Sequence, residues 1–279
     1  VQVSTHTTVP DRVREALFAH LPASEMAVSV LDGADIVVEV SRDGQVAAIG
    51  VGLETASSLS GAAMVLACVS DSAAASAALA GAAVSLAARP GGLEVLGSGG
   101  VAKDVAGVLA ERTDGVASCV MQQRLFVATD VRVPGEVPGE MRAQRPGDHP
   151  TVAAWMDAFS AEALGSEPRG VGHWLPLVAR AGMGVWLWEC EGEVVSIVNG
   201  RRTTPVSSRI GPVYTPPEQR GNGYAAALSA HVAQQALRAG DDRVTLFTDV
   251  RNPTSNELYR RIGFVDATAH ASWVVRPAR

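Results

Sequence analysis

Residues 207–228, SSRIGPVYTPPEQRGNGYAAAL, concentrate the groups best suited to chemistry. The order is a β-rich run, a glycine-rich turn, and the start of a helix expected at 223–239. The first turn of a helix leaves backbone N–H groups unpaired and carries the positive end of the helix dipole. Gly221 and Gly223 let a ligand approach the backbone closely. Together these features make a cradle for a pyrophosphate, with Arg220 at its rim as a charge for a phosphate. A glycine-rich loop that merely turns the chain has the same local pattern.

Two other phosphate-binding patterns fail. Gly221-Asn222-Gly223-Tyr224-Ala225-Ala226 fits G-x-G-x-x-G/A, but that fingerprint requires the first glycine directly after a strand. Here Thr215-Pro216-Pro217-Glu218-Gln219-Arg220 intervenes, and the acidic residue ending the next strand, Asp249, lies beyond the expected distance of about 20 residues. A Walker A loop needs Gly-Lys-Ser/Thr, and Lys103 is the only lysine in the chain.

The elements that must position the cradle follow from turn and helix signals. VRVPGEVPGE at 131–140 is the best linker and divides the 279 residues into domains expected at 1–133 and 141–279. In the second half, EMRAQ reads as a strand and 148–163 as a helix capped by Asp148, with a further helix near 170–181. GVWLWEC and EVVSIVNGRR form a hairpin through Glu191-Gly192, and SSRIGPVYT is the strand that enters the cradle. Ala225, Leu228, Val232 and Ala236 share one face of helix 223–239. VTLFTDV, helix 254–262 and the β-rich FVDATAHASWVV follow. In the first half, a helix at 10–20 precedes DIVVEVSRDG and QVAAIGVGLET, a hairpin turning at Asp43-Gly44. Then come strand MVLACVS, a helix at 71–88 capped by Ser70 or Asp71, strand LEVLGS, a glycine-rich turn, helix 103–112 and a strand at 119–131. Hairpins mixed with helices indicate an α+β fold.

Arg220-x-x-Gly223-x-Ala225 resembles the R/Q-x-x-G-x-G/A signature of the GNAT N-acetyltransferase superfamily, and VYTPPEQ resembles the strand that leads into it. Residues 252–264, NPTSNELYRRIGF, are similar to the family's N-x-x-S/A-x-x-x-Y-x-x-x-G-F helix. The resemblance covers about 140–279 and implies a mixed, mostly antiparallel sheet flanked by helices, with acetyl-CoA or another acyl-CoA as cosubstrate and no metal. Two central strands would splay, with the pantetheine arm between them. The resemblance assigns Val213, Tyr214 and Thr215 to the pantetheine and Arg220, Gly221, Asn222, Gly223, Tyr224 and Ala225 to the pyrophosphate. Asn252, by its side-chain amide, and Ser255 would join the cofactor contacts. Pro212 cannot donate to a sheet ladder and fits a bulge at the splay.

Tyr259 would lie near the thioester sulfur. A phenol of pKa about 10 is protonated at neutral pH and can donate to a departing thiolate. By its pattern alone Tyr259 is a core aromatic of an amphipathic helix. A backbone N–H near Val213 or Tyr214 would steady the oxyanion. The base that takes the amine's proton is left between Asp249 and Glu189, each also readable as a surface or turn carboxylate. His173 and His231 are further candidates, His231 with a structural reading in mid-helix. Trp155, Trp174, Trp186 and Trp188 read as core residues first and as acceptor-pocket residues second.

The first half lacks the acyl-CoA signature. VLGSGGVAKDVAGVLAER, with Gly97, Gly99 and Gly100, echoes the strand, glycine turn and helix, so 1–133 is expected to be a degenerate GNAT-like copy; an unrelated α+β lid is the other reading. A net charge of −6 without a basic stripe argues against nucleic acid, and the three cysteines have no disulfide or zinc spacing. The uncharged run 72–88 is short and alanine-rich, a buried helix and not a membrane span. With no leader visible, a cytoplasmic location is expected; the oligomeric state is not indicated. The function that follows is acyl transfer from acyl-CoA to a primary amine of a small molecule or peptide. A non-catalytic acyl-CoA sensor and an acyltransferase fed by a carrier protein are the alternatives.

Overall fold

A computed structural model describes the chain except residues 22–23, 25–26, 28–30, 32–33, 55–61, 69–72, 90, 165–169, 171–183 and 279. The first half runs β1 (Gln2–His6), α1 (Asp11–Ala19), β2 (Ile36–Arg42), β3 (Gln45–Glu54), β4 (Ala62–Cys68), α2 (Ala73–Ala87), β5 (Leu93–Ser98), α3 (Gly99–Arg112), β6 (Val116–Ala128). The second runs β7 (Glu140–Ala143), α4 (His149–Leu164), β8 (Gly184–Cys190), β9 (Glu193–Thr204), β10 (Ser207–Tyr214), α5 (Tyr224–Arg238), β11 (Arg243–Asp249), α6 (Pro253–Arg261), β12 (Val265–Arg276). Among the described residues the two halves repeat one order of strands and helices. The architecture is the expected mixed, mostly antiparallel α+β fold.

Contacts divide the chain into two compact units. The first holds Val1–Leu125, Asp249–Arg251 and Ala267–Arg279; the second holds Phe126–Thr248 and Asn252–Asp266. The segment around the expected linker therefore goes with the second unit, and the last strand goes with the first. Val131 and Val137 pack into the second unit's core, and the Trp188 indole donates to the Pro138 carbonyl at 2.8 Å.

In the first unit the strands lie in the order β1-β2-β3-β4-β5, with β12 beside β5. β4 and β5 are parallel, matched only over Ala63–Val65 and Glu94–Leu96; the other pairs with a known register are antiparallel. Val38 and Val40 face the core under α2 and α3, while Val37 faces the core under α1, the two-residue alternation of a strand covered on both sides. Where β4 and β5 would part, they stay close: a Cβ on Gly97 would lie 3.0 Å from the Leu66 Cβ.

Both turn signals hold. Asp43 and Gly44 have φ of 53° and 78°, and Glu191 and Gly192 have 53° and 83°, the two positive values of a type I′ hairpin. The helix expected at 103–112 instead begins at Gly99, directly after β5, so no glycine-rich turn separates them. Each helical glycine costs about 1 kcal/mol against alanine. Burial of Ala102, Val105, Ala106 and Leu109 on the same helix outweighs that cost. The cap expected at Ser70 or Asp71 lies outside the described residues. So does the helix near 170–181, with His173 and Trp174, apart from Gly170, whose N–H is held by Asp157 at 2.8 Å.

The second unit has the order β11-β10-β9-β8-β7. Residues of α5 and α6 lie in one core cluster, with Ile210, Val198 and Leu246 of the strands. Val152, Ala153 and Met156 of α4 lie in another, with Leu187, Ile197 and Tyr214.

Candidate acyl-donor site

β10 and β11 are parallel and matched only from Ser207↔Arg243 to Arg209↔Thr245. Both strands run on past that point, β10 to Tyr214. The carboxyl end of β10 therefore keeps β9 as its partner and has an open side toward β11. Opposite β9 its register shifts between Ile210 and Val213, which is where Pro212 was expected to break the ladder. Val213 and Thr215 are half-buried and Tyr214 is buried at this open end.

A short 3₁₀ turn, Pro217–Gln219, carries the chain from β10 to α5. Gly221 and Gly223 adopt φ of +85° and +84°, a left-handed conformation that L residues with a Cβ enter at a cost. Gly223 is the N-cap of α5, and no side chain caps the helix there. The opening N–H groups of α5 thus face a rim, residues 220–223, that is exposed to solvent. The Asn222 side chain braces the turn by donating to the Gln219 carbonyl at 3.1 Å. Ala225 is half-buried in the first turn. The Tyr224 hydroxyl points elsewhere, donating to Cys190 Sγ at 3.7 Å.

Arg220 lies at the rim but is engaged. Its Nε donates to the Thr215 carbonyl at 2.9 Å and its Nη2 to Glu162 Oε2 at 2.7 Å. Glu162 Oε1 accepts from the Tyr214 hydroxyl at 2.9 Å. Burial, reinforced by this carboxylate, pushes the Tyr214 phenol above its ordinary pKa. Sequence reasoning missed Glu162: an exposed carboxylate near a helix end carries no local signal.

Asn252 is the N-cap of α6, its Oδ1 accepting the Ser255 N–H at 3.0 Å. The capping contact occupies the oxygen, so the amide nitrogen is the atom left to meet a ligand. Tyr259 is 7% exposed and packs between Phe126, centroids 6.4 Å apart, and Phe264 at 6.0 Å. Burial pushes its pKa well above the ordinary tyrosine value and keeps the phenol protonated.

The two carboxylates considered as bases are both bound to arginine. Asp249 ends β11 and is gripped by the Arg251 side chain and backbone N–H, which holds its pKa down despite burial. Glu189 accepts from Arg142, which also forks onto Asp148 at 2.7 and 2.9 Å. Its lowered pKa makes Asp249 a weaker proton acceptor than a free aspartate. Trp188 is buried and meets His231 at 5.6 Å, so both are packing residues of β8 and α5. Trp155 is 6.2 Å from Tyr214, and Trp186 is half-buried.

Among the described residues no group of three or more His, Cys, Asp or Glu is placed to hold a metal. No described helix is long and apolar enough to cross a membrane.

An opened parallel strand pair thus leads through left-handed glycines to an uncapped helix start on an α+β sheet, the arrangement expected of a phosphate cradle. Residues 150–264 match the model of the acetyltransferase (GNAT) family. The chain carries a GNAT acetyltransferase domain there. Two curated relatives are mycothiol acetyltransferases of Salinispora arenicola and Salinispora tropica, 32% and 31% identical over 147 residues. Each match takes in 48% of this chain and 47% of the relative, so the chain spans about half the length of the curated relatives it matches. A GCN5-related N-acetyltransferase from Sphaerobacter thermophilus has a similar structure, with TM-score 0.65, 20% identity, and coverage of 99% of this chain and 97% of that one. A GNAT-family acetyltransferase from Colwellia psychrerythraea gives TM-score 0.58 at 10% identity, covering 99% and 100%. These likenesses are ones of fold.

Proposed function

We propose that the chain is an acyl-CoA-dependent N-acyltransferase that uses acetyl-CoA and acts on a primary amine of a small molecule or peptide. One observation carries the reading: β10 leaves β11 after Arg209 and leads, through a short 3₁₀ turn, to the left-handed glycines at the N-terminus of α5. The cradle fits a pyrophosphate. Its rim is exposed backbone, its glycines leave that backbone bare, and a Cβ at Gly223 would crowd Val137 at 3.2 Å.

Acetyl-CoA supplies the thioester that the amine attacks. In this reading Gly221, Asn222, Gly223, Tyr224 and Ala225 hold the pyrophosphate through backbone N–H groups, and Arg220 adds its charge. Val213, Tyr214 and Thr215 line the pantetheine arm, with the Asn252 amide and Ser255 beside it. A backbone N–H of Val213 or Tyr214 steadies the carbonyl oxygen as it gains charge. As the C–N bond forms and the C–S bond breaks, Tyr259 donates its proton to the leaving thiolate, and the proton lost by the attacking amine passes to water. Asp249 and Glu189 remain bound to their arginines and serve the architecture.

We read residues 1–133 as a second, degenerate copy. Three features support this: the repeated element order, the three-residue parallel match in each half, and a carboxylate on the second strand of each half that binds a basic residue of the first. These carboxylates are Glu39 with His6, also bound by Arg12, and Glu189 with Arg142. The approach of Gly97 to Leu66 keeps β4 and β5 close one residue beyond their parallel match. By element order, β5 and α3 correspond to β11 and α6, so the stretch at 97–100 is not the counterpart of the cradle. The reading includes a cytoplasmic protein with neither nucleic acid nor membrane as partner.

A thiol-release assay with acetyl-CoA against amine classes tests the function, with a mycothiol-related acceptor in the panel because of the relatives' name. Release that depends on an amine supports transfer; binding without release supports the sensor reading. Calorimetry should give one acetyl-CoA per chain.

A further inference from the structure

We propose that Glu162 is the group that receives the acceptor's ammonium, and that Arg220 occupies its place until the acyl donor is bound. The inference rests on the N-acyltransferase reading.

Glu162 shares its carboxylate between two residues of the candidate site. Oε1 accepts from the Tyr214 hydroxyl at 2.9 Å, and Oε2 accepts from Arg220 Nη2 at 2.7 Å. The Arg220 guanidinium also lies over the Tyr214 ring, 5.7 Å from its centroid, and Trp155 lies 6.2 Å from the same ring. A carboxylate set against an aromatic face is a site for a cation. Here that cation is a side chain whose own backbone enters the phosphate cradle.

Position gives the corner its role. Tyr214 is the last residue of β10, beyond the point where β10 and β11 part, and its ring packs in the cluster that contains α4. Val213 belongs to the other cluster, with α5. An acyl donor held on the α5 side would thus meet an acceptor arriving on the α4 side. Glu162 is 47% exposed and Arg220 49%, so solvent and an incoming amine can reach the pair.

The competition has a clear winner. A pyrophosphate carries more negative charge than one carboxylate and offers oxygens to both arms of a guanidinium. An exposed ion pair such as Glu162–Arg220 is weak. Donor binding turns Arg220 toward the phosphates and leaves Glu162 and the Tyr214 face without their cation. The acceptor's ammonium then fits the vacated corner, and a neutral hydroxyl compound does not.

The test is calorimetric titration of acetyl-CoA into the wild type and Glu162→Gln, followed by amine-dependent thiol release. Removing an exposed competitor should tighten acetyl-CoA binding about two- to fivefold. Loss of a charge-assisted hydrogen bond should raise KM for the amine about tenfold or more, with a smaller change in kcat. Glu162→Asp should recover part of that KM. Unchanged or weaker acetyl-CoA binding in Glu162→Gln, with normal wild-type binding, overturns this inference alone. Tighter binding with an unchanged amine KM overturns the role in receiving the ammonium. If neither protein binds acetyl-CoA, the acyltransferase reading falls with it.

Discussion

Gly223 and Val137 stand so close that a single added carbon would crowd them: a Cβ on Gly223 would lie 3.2 Å from Val137 Cγ2, which would have to give by a few tenths of an ångström. Gly223 also holds φ at +84°, where a Cβ is strained whatever the space. Gly223→Asp adds both burdens and places a negative charge at the cradle. It should abolish detectable acetyl-CoA binding, and calorimetry giving wild-type affinity would refute the cradle assignment.

Gly223→Ala isolates the backbone effect from the charge. The left-handed conformation should cost about 1–2 kcal/mol. Thermal unfolding should show a lower Tm, and acetyl-CoA affinity should fall less than in Gly223→Asp.

Tyr259→Phe removes one hydroxyl from a packed side chain. Turnover should fall more than acetyl-CoA affinity, read as kcat against Kd. Unchanged turnover would remove Tyr259 from the mechanism. The raised pKa also makes a stability prediction. The folded chain keeps the phenol protonated at pH values where the unfolded chain ionises it. That contribution is complete below the ordinary tyrosine pKa of 10.0 and is lost as pH rises above it. Denaturant midpoints should therefore decline in that alkaline range, and less so in Tyr259→Phe.

Arg142 hydrogen-bonds Asp148, with both side chains largely buried, and this holds the Asp148 carboxyl below its ordinary pKa. The sign is the reverse of the tyrosine case. Stability is full above the unfolded aspartate pKa and is lost as pH falls through the folded one. Asp148→Asn should cost about 1.5–3 kcal/mol at neutral pH, the worth of hydrogen bonds to a charged group, and should flatten the acid limb of a stability–pH curve.

Signals confined to a few neighbouring residues translated well into structure. Asp43-Gly44 and Glu191-Gly192 specify their hairpins through backbone conformations that few other pairs adopt. Pro212 marked the register shift because it cannot donate to a ladder. Features that depend on distant partners did not. Gln2–His6 is a strand because β2 lies alongside it, and the assignment of 267–279 to the first unit follows from its pairing with β5. Gly99 and Gly100 looked like a turn because glycine usually breaks helices, whereas burial of the rest of α3 holds them helical. Asn252 carried a capping signal in Asn-Pro-Thr-Ser that its resemblance-derived ligand role overshadowed. Glu162 and its two partners are 52 and 58 residues apart in sequence, so only the fold could bring them together.

The most direct measurement is thiol release from acetyl-CoA, with and without a panel of primary amines, on the wild type and Gly223→Asp in parallel. The account predicts release that depends on an amine in the wild type and is lost in the variant. Tight acetyl-CoA binding by the wild type with no amine-dependent release across the panel would contradict it.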